Sequence, residues 1–124
     1  MIHLDTSVMI DALTGPRRSG QRLRQLIEQG ERIFISSLVL FEWRRGPRIA
    51  PEIEDQEALF PSSDSVMFGP DEALTAADMY QRVNRPRGRE LDIAIAATAI
   101  VNNAALWTLN PRDFRDFPRL KLIP

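Results

Sequence analysis

Apolar and polar positions change rhythm several times along the chain, and each change marks a candidate element. Residues 2–5 form a short apolar run closing on an acid and read as a buried strand. From Val8 the apolar residues Val8, Met9, Ala12 and Leu13 recur at helical spacing, predicting a helix over 6–14 that Gly15-Pro16 stops. Leu23, Leu26 and Ile27 give a second helical stripe over 17–29, ended by Gly30. Residues 32–36 are β-rich, and Ser37 then reads as the cap of a helix running to Gly46-Pro47. A weaker acidic helix is expected over 51–60, a short strand over 65–68 and a helix over 71–84. Residues 90–104 are apolar nearly all round, which predicts a buried helix. Residues 105–109 and 120–123 read as strands, separated by a turn at 110–114. Strands alternating with helices predict an α/β chain with a mostly parallel central sheet covered on both faces.

Composition narrows the chemistry. The 124 residues suit a single domain, 1–124, without a linker, and 44% are apolar, enough for a core. The chain has no cysteine and one histidine, His3, so thiol catalysis, Fe–S clusters and a histidine-based zinc site are set aside. No apolar run approaches the ~20 residues needed to span a bilayer, and the N-terminus lacks a signal peptide's pattern, so the expected location is the cytoplasm. The net charge is −1, without the overall basic signature of a nucleic-acid binder. Yet fifteen of the sixteen basic residues are arginine, whose planar fork suits phosphate. A GC-rich coding sequence would produce the same bias.

The topology makes four acids interesting. In parallel sheets, sites form beyond the carboxyl ends of the strands. Asp5 closes the first strand there. Glu42 lies five residues into the helix after the second strand, about 7.5 Å along its axis at ~1.5 Å per residue, and a long side chain tilted toward the helix start can reach back to that edge. Asp92 is in the first turn of the apolar helix feeding strand 105–109, and Asp113 follows that strand across Asn110-Pro111-Arg112. Each has a simpler reading. Thr6 or Ser7 can cap a helix beside Asp5, Asp92 can favour a helix dipole, Asp113 can be a turn residue, and Glu42 can pair with Arg44 or Arg45. Taken together, four convergent carboxylates repel one another unless a cation sits among them. Mg²⁺ or Mn²⁺ with oxygen ligands meets that need, and such a site supports hydrolysis of phosphodiesters without histidine or cysteine.

Four stretches, HLDTSVMID, ISSLVLFEWRRG, ELDIAIAATAI and LWTLNPRDF, resemble in order the motifs of the PIN-domain family. The chain resembles in particular its VapC-type toxin ribonucleases, and the resemblance covers nearly all of it. Carried over residue by residue, the family's acidic quartet falls on Asp5, Glu42, Asp92 and Asp113. Thr6 and Ser7 match the small hydroxyl residues after the first acid, and Thr108 and Asn110 the polar residues before the fourth. The resemblance implies a three-layer α/β/α sandwich and Mg²⁺- or Mn²⁺-dependent endoribonuclease activity on RNA. It also implies a homodimer and inhibition by a cognate VapB-type antitoxin whose tail occupies the acidic site. His3 departs from the pattern, because an apolar residue is usual two positions before the first acid. Strand alternation puts it on the same side as Asp5.

Arg85, Arg87 and Arg89 before Asp92, with Arg112 beside Asp113, are candidates for contacts with the RNA backbone, or else a solvated loop. Phe41 and Trp43 flank Glu42 and could stack on a base, pack in the core or form walls of a partner groove, with the helix at 51–60 as a further candidate wall. A phospho-acceptor enzyme with Asp5 as nucleophile fits poorly. It would need an acid close after Asp5 and a late catalytic lysine, whereas the one lysine, Lys121, falls inside a predicted strand. A nuclease or RNA-binding scaffold of the same fold that is not a toxin stays open, as does action on DNA.

Overall fold

A computed structural model describes all of residues 1–124. At its centre lies a parallel sheet of three short strands, β1 (Ile2–Leu4), β2 (Ile33–Phe34) and β3 (Ala105–Trp107), in the order β2-β1-β3. Ile2 pairs with Ile33 on one side and Ala105 on the other, and Leu4 with Trp107. As the middle strand, β1 is buried on both faces, so Ile2, His3 and Leu4 are all shielded from solvent.

Six helices enclose the sheet in a three-layer α/β/α sandwich: α1 (Thr6–Leu13), α2 (Gly20–Glu28), α3 (Ser37–Arg45), α4 (Ala50–Leu59), α5 (Pro70–Arg82) and α6 (Glu90–Val101). Helix α1 packs against α2, α3 and α4, while α5 lies along α6, which also touches α3 and β3. Every residue of α6 from Ile93 to Ala99 is buried, as its all-round apolar pattern predicts. Alanines at 94, 96, 97 and 99 keep that helix narrow enough for α5 to lie close beside it. No helix is long and apolar enough to cross a membrane.

Several expectations are corrected. The strands expected over 65–68 and 120–123 shrink to single parallel bridges, Ser36 with Val66 and Leu106 with Leu122. The first is confined between a single helical turn at Ser62–Asp64 and the start of α5 at Pro70. The second follows Arg119, whose positive φ of 66° turns the chain just before it. Helix α2 starts at Gly20 rather than 17, because Arg17 takes a φ of 55° that no helix accepts. Ser36, not Ser37, caps α3, its hydroxyl accepting the Val39 N–H at 3.3 Å. The Ser37 hydroxyl instead accepts the Phe68 N–H at 3.2 Å and so ties down the segment before α5. Neither Thr6 nor Ser7 caps α1; Asp5 holds the cap position without a side-chain capping bond. Trp43 is wholly buried in the core under the Arg48 guanidinium, 4.2 Å from its ring, so it is no groove wall. Phe41, 57% exposed, is on the surface.

Candidate active site

Asp5 is held by the end of β3 and the loop after it. Its N–H donates to the Trp107 carbonyl at 2.9 Å, which extends the pairing of β1 with β3 by one bond. Its Oδ2 accepts two hydroxyls, Thr108 Oγ1 at 2.7 Å and Ser7 Oγ at 2.8 Å. Each hydroxyl is aimed by a backbone amide. Leu109 N–H donates to Ser7 Oγ and Asn110 N–H to Thr108 Oγ1, both at 3.0 Å. Asn110 therefore enters the site through its backbone, which no reading of side-chain types would reveal. A hydroxyl whose own oxygen accepts an amide proton has its hydrogen directed at the carboxylate, so Asp5 is fixed by donors that carry no charge.

Glu42 reaches back along α3 as the helix geometry predicts. Its Oε1 accepts Thr6 Oγ1 at 2.5 Å, and its Oε2 faces Arg45 Nη2 at a loose 3.4 Å. Arg44, the other candidate partner, turns away to Gln56 and Glu57. Asp92 projects from the first turn of α6, and Asp113 closes the single turn Pro111–Asp113 in an exposed position. Asp5, Asp92 and Asp113 take part in no ion pair.

The carboxyl of Asp92 reports how the four acids are gathered. Burial first, then the negative charges of Asp5, Asp113 and Glu42, push its pKa up to about 6; Arg89 opposes them only in part. All four predicted acids therefore share one electrostatic site. No three of them form a ready-made metal cage. The donor set is oxygen only, and a cation would relieve the repulsion seen at Asp92, so the residues fit a hard divalent ion.

His3 is not part of this group. Its Nε2 accepts the Ser36 N–H at 3.2 Å, and its ring stacks on Phe34 with centroids 4.8 Å apart. The neutral ring then carries its proton on Nδ1, which has no hydrogen-bond partner. Burial holds the imidazole pKa down to about 3, and the nearby Ile95 backbone offsets only part of that fall.

Beside Asp113 a cleft of about 440 Å³ is lined by Arg89, Arg112, Asp113, Arg115 and Asp116. Arg85, Arg87 and Arg112 are exposed and unpaired, whereas the Arg89 guanidinium is engaged with Asp116. Sequence reasoning missed Arg115 and Asp116. The signal available was their place two and three residues after Asp113.

The profile of the PIN domain matches residues 2–120. Ribonuclease VapC19 of Mycobacterium tuberculosis is 37% identical over 120 residues, which are 95% of each chain. The chain thus belongs to the PIN-domain family, and within it to the VapC ribonucleases. Among solved structures, it superposes on VapBC2 of Rickettsia felis, bound to a DNA fragment from its promoter, with a TM-score of 0.74 at 22% identity, covering 99% of this chain and 98% of that one. FitAcB of Neisseria gonorrhoeae gives 0.74 at 19%, covering 100% and 97%. A toxin–antitoxin complex from Klebsiella pneumoniae gives 0.71 at 24%, covering 95% and 93%. At these identities what is shared is the fold.

Proposed function

We propose that this chain is a metal-dependent endoribonuclease and the toxin of a type II toxin–antitoxin pair. The observation that carries the reading is Asp5 at the carboxyl edge of the sheet, its Oδ2 held by two hydroxyls that backbone amides aim and its Oδ1 unpaired, and the raised pKa of Asp92 agrees with it. Asp5, Glu42, Asp92 and Asp113 would hold Mg²⁺ or Mn²⁺. When bound, such an ion supplies a water of lowered pKa and charge stabilisation at the attacked phosphate. Ser7 and Thr108 hold Asp5 by Oδ2, which leaves its Oδ1 free of protein partners. Thr6 does the same service for Glu42 through Oε1. Arg85, Arg87 and Arg112, exposed and unpaired, would contact the RNA backbone on either side of the acids.

The relative is a ribonuclease and the structural neighbours are complexes with antitoxins, which supports a partner for this chain. A guanidinium from that partner's tail would bind the empty carboxylates bidentately where the cation otherwise sits. A groove of about 660 Å³ among α1, α2 and the end of α4, with Leu13, Leu23, Ile27 and Leu59 on its walls, suits the apolar part of the same segment. Exposed Phe41, Met67 and Leu74 are available to a two-fold homodimer; the proposed place of action is the cytoplasm. The test is expression with and without the neighbouring gene's product, combined with RNA cleavage by the purified chain. Growth arrest relieved by co-expression, and cleavage lost in Asp5→Asn, support the proposal. Harmless expression of an active nuclease would leave a PIN nuclease that is not a toxin. Absence of both arrest and cleavage would leave at most an RNA-binding scaffold.

A further inference from the structure

Arg89 stands between the third and fourth acids of the site. It occupies the position before the first residue of α6, three residues ahead of Asp92. Its guanidinium crosses to the segment after β3 and grips Asp116 with both ends of the fork, Nη2 to Oδ1 at 2.6 Å and Nη1 to Oδ2 at 3.0 Å. Nη2 also donates to the backbone carbonyl of Asp113 itself at 3.0 Å, and Nη1 to the Asn84 carbonyl at 3.1 Å. The guanidinium lies 4.6 Å from the ring of Phe117, a buried residue set edge-on against buried Phe114. Four hydrogen bonds use most of the five N–H groups an arginine offers. Asp113, by contrast, is exposed, and its carboxylate has no ion-pair partner. The Arg89 bond to its carbonyl joins its turn to the start of α6.

We propose that Arg89, with Asp116, is a positioning residue that ties the turn carrying Asp113 to the helix carrying Asp92 and so sets the spacing of those two carboxylates. The inference rests on the metal-site reading above. It assigns Arg89 a different task from Arg85, Arg87 and Arg112. To contact a phosphate, Arg89 would have to break a bidentate pair, whereas the other three have no partner to surrender. Charge and tethering also predict opposite signs. As a nearby cation alone, Arg89 would oppose a metal ion, and its removal would tighten cation binding. As a tether, its removal loosens Asp113 and weakens binding, as loss of a group that orients a ligand does.

The experiment measures Mn²⁺ affinity by electron paramagnetic resonance, and kcat and KM for RNA, in wild type, Arg89→Met, Arg89→Lys, Asp116→Asn and Arg89→Met/Asp116→Asn. The expected result is Mn²⁺ affinity about tenfold weaker in each single variant, with the double variant no worse than either. Lysine keeps the charge but not the fork, and is expected not to restore affinity. The loss should fall on kcat, with KM changed by less than about twofold. Unchanged or tighter Mn²⁺ binding, with a raised KM, would overturn the proposal and make Arg89 a phosphate contact. Should Arg89→Met fail to fold, Arg89→Lys tests the same tether with the net charge unchanged, so that weaker Mn²⁺ binding in it supports the tether and unchanged binding overturns it. Wild type that binds no Mn²⁺ would refute the metal site and this inference together, whereas normal binding in every variant overturns this inference alone.

Discussion

His3 and Asp5 stand two residues apart along one extended segment, both almost wholly buried, and their surroundings treat them in opposite ways. Around His3 the contacts are a stacked Phe34 ring, one backbone N–H from Ser36 and the apolar helix α6. Such an environment offers nothing to a charge, and the imidazole is discharged, its pKa held down to about 3 by burial. Around Asp5 the contacts are hydroxyls aimed by backbone amides, and its charge is felt at Asp92 together with those of Asp113 and Glu42. One strand therefore carries a polar group that serves packing and another that serves the site. Burial alone does not tell them apart; the donors aimed at each do.

The largest separation between the two should appear in activity. Asp5→Asn is expected to lower RNA cleavage by at least about 100-fold while leaving the fold intact, since it removes a charge from a self-repelling cluster. His3→Gln should retain cleavage in the same assay within about threefold, because Gln keeps an acceptor for the Ser36 N–H. Loss of cleavage in His3→Gln without loss of folding would erase the distinction.

Stability should show the reverse. His3→Ala opens a cavity beneath Phe34 and strands the Ser36 N–H, at a cost of about 3 kcal/mol by chemical denaturation. Asp92→Asn should be neutral or stabilising at pH 7, because ionised Asp92 is opposed by burial and by its neighbours.

The two groups also titrate in opposite senses, which a pH series on metal-free protein can resolve. The His3 pKa is about 3 in the folded chain, below its ordinary 6.5, so the unfolded chain binds the extra proton in that window. Stability from His3 is therefore lost as pH falls through it. The Asp92 pKa is about 6 when folded, above its ordinary 3.8, so between those values the folded chain binds the extra proton. Its contribution to stability grows as pH falls there. In wild type the two contributions run against each other and largely cancel along the acid limb from about pH 6 to 4, and the His3 loss stands alone only below about pH 4. His3→Gln should turn that limb toward greater stability on acidification, and Asp92→Asn should turn it toward loss. An unchanged limb in His3→Gln would contradict the environment described for the imidazole.

The smallest effects belong to the hydroxyls. Thr108→Val and Ser7→Ala each remove one of two donors to Asp5 Oδ2, and each should lower cleavage about tenfold, the worth of one charge-assisted hydrogen bond. Equal activity in both variants and wild type would mean that Asp5 is held by its backbone alone.

The four acids were legible in the sequence because they depend on topology, and topology follows from apolar rhythm. Strands 2–5 and 105–109 and the apolar helix from 90 announce themselves, and the carboxyl edge then collects Asp5, Asp92 and Asp113. Glu42 follows from helix tilt. Fine placement was not legible. Whether Ser36 or Ser37 caps α3 depends on which hydroxyl the segment before α5 requires, and Phe68 claims Ser37. Val66 and Leu122 sit on β-like runs, yet each makes only one bridge, Val66 because a helical turn and α5 bracket it and Leu122 because it follows the turn at Arg119. The pair Arg89 and Asp116 spans 27 residues and joins two loops, so no local periodicity encodes it. Between the core and the partner groove for Trp43 the sequence left both open, and on α3 it faces the core.

The central claim is that Asp5, unlike His3, belongs to a cation site. Calorimetric titration of Mn²⁺ into the purified wild type, Asp5→Asn and His3→Gln tests it without recourse to catalysis. The account predicts saturable binding in wild type and in His3→Gln, and none in Asp5→Asn. Binding that survives Asp5→Asn undiminished would contradict it.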